Sequence, residues 1–383
     1  MTLTSRERVR IALQHGIPDK VPLGDFAIDY DTAERVLGHT TYHRAKARCQ
    51  IAYWEGRRDE VVQSLIADTI ELYRKLDVYD IINLSAATLG LVPPSGYRPE
   101  APRRVDDSTW EYKDGRVLKY SPITADLTLV YDPAQWTRPI TPEDFSLEPV
   151  YQAPDHSCYE LVNAVTAAFG GERYIFGPFP GAPEWPPLGD MQRSLVEMVE
   201  RPELAERALQ STLAQAELQQ AHWQNPGIDG ALDGTDWAYK TGTFMSPKLW
   251  RRYCLPALAA NVQAAHRAGL QFVQHACGNN WGILDGLLEA GIDGYQSIQG
   301  SAEMDLGRLK QLTRGRLALW GGVPVELLVD GTPDDVRGAV RQAMAQAQEG
   351  GGYILGASHS IAVGTQYANF MAMLDEFFKL RDY

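Results

Sequence analysis

The chain has 383 residues, 44% hydrophobic and 22% charged, a balance ordinary for a globular protein and ample for a large core. Its 36 Lys and Arg face 49 Asp and Glu, a net charge of −13, so the surface repels phosphate backbones and nucleic acid is not an expected partner. The four cysteines, at 49, 158, 254 and 277, lack the regular spacing of a disulfide framework. No apolar run approaches the ~20 residues of a membrane helix, and the N-terminus is charged rather than signal-like. A cytoplasmic protein with no membrane contact is expected.

Thr4-Ser5-Arg6-Glu7 reads as a capping box, with Thr at the cap and Glu three residues later, opening a helix to about Gln14. IPDKVPLGDF then turns into a short strand. Residues 41–76 carry a helical pattern, and DVYDIINLS (77–85) ends in a strand. A Pro-rich crossing follows, then WEYKDGRVLKY (110–120), a hairpin turning at Asp114-Gly115. Residues 93–150 therefore read as an antiparallel insertion rather than a domain. DHSCYELVNAVTAAF starts a helix. From there helices alternate with the strands RYIFGPF (173–179), GALDG (230–234), QFVQHAC (271–277), GYQSI (294–298), LALWGGV (317–323) and GYILGAS (352–358). Strand–helix alternation with short gaps predicts a parallel sheet with crossover helices. With the earlier strands about eight units emerge. The expected fold is a single (β/α)8 TIM barrel over residues 1–383, with an N-terminal helical extension and the insertion around 93–150. An open doubly wound sheet is the alternative, and no GxGxxG or GxxxxGK[ST] follows a strand to favour it.

In a barrel, chemistry gathers at the C-terminal strand ends. His275 and Cys277 lie two apart at such an end, so they share a face. His359 follows the last strand, whose end opens on the same mouth. Three such ligands with one open position form the pattern of a catalytic zinc. The chain holds a control: His156-Ser157-Cys158 repeats the spacing at a helix start, where residues two apart diverge, and is expected to be structural. Asp233 and Asp236, in GALDGTDW, are candidate acid/base groups, with an N-cap as the bland alternative. Gln296 and Asn279 are candidates to orient a substrate. Phe179, Trp185 and Trp237 are candidates to line a flat pocket, although aromatics at such places more often belong to the core. Glu184 is a further candidate, as a carboxylate ligand to the metal.

SRERVRIALQHGIPDKVPL, GPF (177–179), HACGN (275–279), WGGV (320–323) and GGGYILGASHSI (350–361) resemble the uroporphyrinogen decarboxylase superfamily over most of the chain, least over 90–150. That resemblance implies a (β/α)8 barrel. GDFAIDYDTAERV lacks the arginine pair of the true uroporphyrinogen decarboxylases. The chain looks closer to the zinc- and cobalamin-dependent methyltransferases, whose H-x-C motif His275 and Cys277 match; His359 stands where those enzymes usually carry cysteine. The resemblance implies Zn2+, a small methoxylated or methylated donor, and a corrinoid on a partner protein. The rival expectation is a metal-free decarboxylase or lyase of a small aromatic or pyrrolic acid, with Asp233 and His359 as acid/base groups. A barrel without activity that binds a corrinoid or an assembly partner is the third.

Overall fold

In the computed structural model, which describes residues 3–383, the strand and helix patterns resolve into one curled parallel sheet of seven strands. These are β1 (Ile81–Asn83), β2 (Tyr174–Gly177), β3 (Gly230–Gly234), β4 (Gln271–His275), β5 (Gly294–Ser297), β6 (Ala318–Val323) and β7 (Tyr353–Ala357). Sheet order equals chain order, and every neighbouring pair is parallel. One or more helices fill each connection from β2 onward, so the strands are covered outside as well as inside.

The period of two sorts these strands into two faces. Ile81, Phe176, Leu232, Val273, Trp320 and Ile354 point inward and pack on Val9, Ala12 and Leu13 of the first helix, Ser5–Leu13. Their sequence neighbours Ile82, Ile175, Ala231, Phe272, Leu319 and Leu355 join the larger cluster made with the outer helices. The predicted capping box of the first helix is present, with Thr4 and Glu7 bonded reciprocally.

The strand expected in IPDKVPLGDF forms as single bridges rather than a ladder. Gly24 N donates to Leu355 O at 3.0 Å, Leu355 N to Pro22 O at 2.9 Å, and Asp80 N to Leu23 O at 2.9 Å. Pro22 has no N–H to give, which shortens the pairing. The segment nonetheless lies between β7 and β1. Asp25 fixes it there, its carboxylate accepting from Ala357 N at 2.6 Å and from the Tyr79 hydroxyl. Burial pushes the Asp25 pKa up to about 6.

Residues 93–150 hold more strand than the one hairpin expected. Arg103–Arg104, Thr109–Glu111, Val117–Ser121 and Asp126–Tyr131 form a four-stranded antiparallel sheet in chain order. Gly115 turns the hairpin with φ 88°, as the Asp-Gly pair predicts.

Candidate metal centre

His275 closes β4 with the same parity as the inward Val273, and pairs in register with Gln296 of β5 and Gly234 of β3. Beside Gly234 the His275 ring stacks on Phe26, centroids 4.1 Å apart at 27°. On the other side the ring Nδ1 donates to Gln296 Oε1, while Gln296 Nε2 donates to Ala357 O at 3.4 Å. That arrangement puts the His275 proton on Nδ1 and leaves the Nε2 lone pair facing Cys277. Nε2 lies 3.4 Å from Cys277 Sγ.

β4 ends at His275, two residues short of the strand expected over 271–277, and the chain turns away at Cys277 for local reasons. Cys277 N donates to Asp236 Oδ1 at 2.6 Å instead of to a neighbouring strand. Gly278 is left-handed at φ 87°, and a Cβ there would meet Ala238 O at 2.4 Å. The Asn280 amide ties the turn down, donating to Ala276 O at 3.2 Å and Cys277 O at 3.0 Å. Ser297, at the end of β5, has φ 109° and the following Ile298 φ 50°. This strained pair costs about 1–3 kcal/mol per residue and aims the Ser297 hydroxyl at Ser358 O (2.9 Å) and Cys277 Sγ (3.4 Å).

His359 lies two residues beyond β7, its ring edge-on to His275 with centroids 5.7 Å apart. Ser358 positions it, its N donating to Val323 O at 2.7 Å and its hydroxyl accepting from Val325 N at 3.1 Å. One ligand atom from each of His275, Cys277 and His359 lies within 4.8 Å of the others. Burial holds both imidazoles down to about 4, with His275 adding to the effect on His359. Burial, then the charge of Asp236, pushes the Cys277 thiol up to about 12. At neutral pH the imidazoles are ready to ligate, and a metal must displace the thiol proton.

The remaining candidates divide. Asp236 stands beside the triad, its carboxyl raised by burial and pulled back by Cys277 N and by His359. Asp233 shares the outward parity of Ala231 and bonds the Thr235 hydroxyl at 2.9 Å, on the opposite face of the sheet from His275. Glu184 is buried in that outer neighbourhood with Asp233, Asn261 and Gln274, outside the triad. Gln296 stands behind His275, and Asn279 N caps the turn by donating to Tyr239 O at 2.7 Å. Phe179 meets Trp223 edge-on at 5.0 Å and lines a cavity of about 160 Å3 shared with Asp233 and Asn261. Trp185 leans on Phe244 at 6.3 Å. Trp237 is fully buried, edge-on to Trp250 at 5.4 Å, as part of the core. Residues not foreseen include Phe26, Ser297 and Asn280, and the buried Asp29–Arg44 ion pair at 2.9 Å, whose charges act on His359.

A family model described as uroporphyrinogen decarboxylase (URO-D) matches residues 186–379, just over half of the chain and the half that carries all three ligand candidates. No curated protein matches it. Among solved structures, a methyltransferase from Methanosarcina mazei superposes with a TM-score of 0.62 over 98% of this chain and 99% of that one, at 16% identity. At that identity the likeness speaks for the fold.

Proposed function

The chain belongs to the uroporphyrinogen decarboxylase family, and on that scaffold we propose a zinc-dependent methyltransferase that moves a methyl group from a small methoxylated or methylated compound to a corrinoid on a partner protein. One observation carries the reading: His275, Cys277 and His359 offer two imidazoles and one thiol within 4.8 Å, at ends of strands that open on one mouth. This donor set suits zinc, with a fourth position left for substrate. Zinc held by one thiolate and two imidazoles keeps a formal charge of +1, which makes it a Lewis acid suited to an oxygen leaving group.

The protein's own groups do the rest. Gln296 holds His275 in the ligating tautomer, and Phe26 fixes the ring plane. Asp236, at Cys277 N and within the field of His359, is the acid/base group placed to exchange a proton with the departing heteroatom. On this reading the bridged segment 20–25 counts as the eighth strand of a (β/α)8 barrel. Residues 93–150 are then an insertion into a single domain. Among the described residues no helix is long and apolar enough to cross a membrane, and the four cysteines are free, which supports a cytoplasmic setting.

The test is metal content of the wild type, Cys277→Ala and His359→Ala, followed by methyl transfer from aryl methyl ethers to reduced corrinoid protein. One zinc per chain, lost in both variants, with methylcobalt formed only by the wild type, is the expected result. A folded wild type grown with zinc that contains none removes the proposal in favour of metal-free lyase chemistry.

A further inference from the structure

The seam between β7 and residues 22–29 is interrupted at one place, and that place lies beside the metal centre. Leu23 bridges Leu355 and Ile28 bridges Ile361, both in parallel. Five residue steps separate the two bridges on one side and six on the other, so the chain leaving β7 carries one extra residue, the mark of a β-bulge. His359 lies on the longer side, and Phe26, which stacks on His275, lies on the shorter.

A parallel ladder that begins with Leu355 N on Pro22 O and Gly24 N on Leu355 O would next put Ala357 N on Gly24 O. That rung is replaced. Gly24 O accepts from the Trp320 indole Nε1 at 2.7 Å, and Ala357 N turns to Asp25 Oδ1 at 2.6 Å. A carboxylate that is 2% exposed thus stands in for a backbone carbonyl. The Tyr79 hydroxyl donates to its other oxygen, Oδ2. The next residue, Phe26, is held from the opposite side, its carbonyl accepting from Asn83 Nδ2 of β1 at 2.7 Å. The Phe26 ring centroid lies 4.1 Å from that of His275 and 6.4 Å from that of His359. Asp25 therefore joins the stretch that delivers His359, two residues beyond Ala357, to the stretch that delivers the ring beside both imidazoles. Bulges next to functional sites serve to re-aim a side chain. We propose, resting on the zinc reading of the site, that Asp25 is a positioning residue for the metal centre: its carboxylate replaces one rung of the seam, sets the bulge, and so places His359 against His275.

The experiment uses the full chain at about pH 8, above the Asp25 pKa of about 6, so that the carboxylate is ionised. Zinc content of the wild type is read first, and a wild type without zinc removes the zinc reading and the role of Asp25 with it. With one zinc per chain, zinc affinity by chelator competition and the visible spectrum of the cobalt(II)-substituted protein are compared for the wild type, Asp25→Ala and Asp25→Asn. Asp25→Ala is expected to lower affinity about 10–100-fold and to weaken the cobalt bands as His359 withdraws. Asp25→Asn keeps an Oδ1 for Ala357 N, and its amide can donate to the Tyr79 oxygen, so it is expected to stay within about threefold of the wild type. A folded Asp25→Ala that keeps the wild-type affinity and cobalt spectrum overturns the proposal and leaves the zinc reading standing. An Asp25→Asn as impaired as Asp25→Ala also overturns it, since charge rather than the replaced rung would then be at work. Where Asp25→Ala does not fold, hydrogen exchange on the wild type decides by reciprocity. Zinc is expected to slow exchange over residues 22–29 together with 355–361, and slowing that leaves 22–29 unchanged overturns the proposal.

Discussion

The chain spells His-x-Cys twice, and the two copies meet different fates. His156-Ser157-Cys158 lies in the 3-10 turn His156–Tyr159, where three residues complete a turn and residues two apart diverge. His156 is exposed there, and the Cys158 carbonyl accepts from Val92 N at 3.0 Å. At His275-Ala276-Cys277 the pleat brings both side chains to one face, with 3.4 Å between Nε2 and Sγ. Ligand identity is the same in both; backbone period decides which copy can hold an ion. A third residue completes the contrast, because β7 delivers His359 to the second copy.

The most direct break of this comparison is Cys277→Ala. Losing the thiolate is expected to remove zinc and with it a Lewis-acid contribution of several kcal/mol, about a thousandfold in methyl transfer. Zinc retained at one per chain in a folded variant would show that the motif is not the site.

The next effect is set by pH. Above pH 5 both imidazoles are neutral, since burial holds them near 4, and they take no protons with them when zinc binds. The Cys277 thiol sits at about 12 without metal, so binding must release its proton throughout the physiological range. Apparent zinc affinity should therefore rise about tenfold per pH unit, about a hundredfold from pH 6 to pH 8. Competition with a chelator of known affinity reads this slope. A flat profile would mean that the thiol is not displaced.

Gln296→Leu sharpens the comparison from behind the ligand. It removes the acceptor that fixes the His275 tautomer and should lower zinc affinity about 10–100-fold with the three ligands intact. Unchanged affinity would put the orienting role elsewhere. Gly278→Ala strains the turn itself: the left-handed φ of 87° costs an alanine about 1–2 kcal/mol, before the contact with Ala238 O is relieved. The measurement is denaturant unfolding, where a loss under about 0.5 kcal/mol would count against a constrained turn.

Much of this is legible in the letters. Strand-forming residues over 271–277, then Gly278, predict a strand end two residues beyond the one β4 reaches, and the parity of residues 275 and 277 predicts their convergence. The same parity rule also tells Asp233 from the mouth, because Leu232 is the inward residue and Asp233 follows it. Strand ends alone do not make that distinction. Other contributions are invisible because they arise from distant pairing. Phe26 reaches His275 only after the segment around Pro22 inserts between β7 and β1, and Asn280 acts through carbonyls fixed by the turn it stabilises. Trp237 illustrates the converse: an aromatic beside a strand end that packs on Trp250 within the core.

The smallest expected effect falls on the other copy. Cys158 is half-buried in the turn that leads into the helix Glu160–Phe169. The contacts that hold this turn come from its backbone and from Asp155, whose carboxylate accepts from Ser157 N at 2.8 Å. Cys158→Ala and His156→Ala should therefore leave zinc content at the wild-type value and change stability by only about 0.5 kcal/mol. Metal analysis and denaturant unfolding on the pair check this. If Cys158→Ala lost zinc as Cys277→Ala does, residue spacing rather than strand geometry would be selecting the site, and the contrast between the two copies would fail at its root.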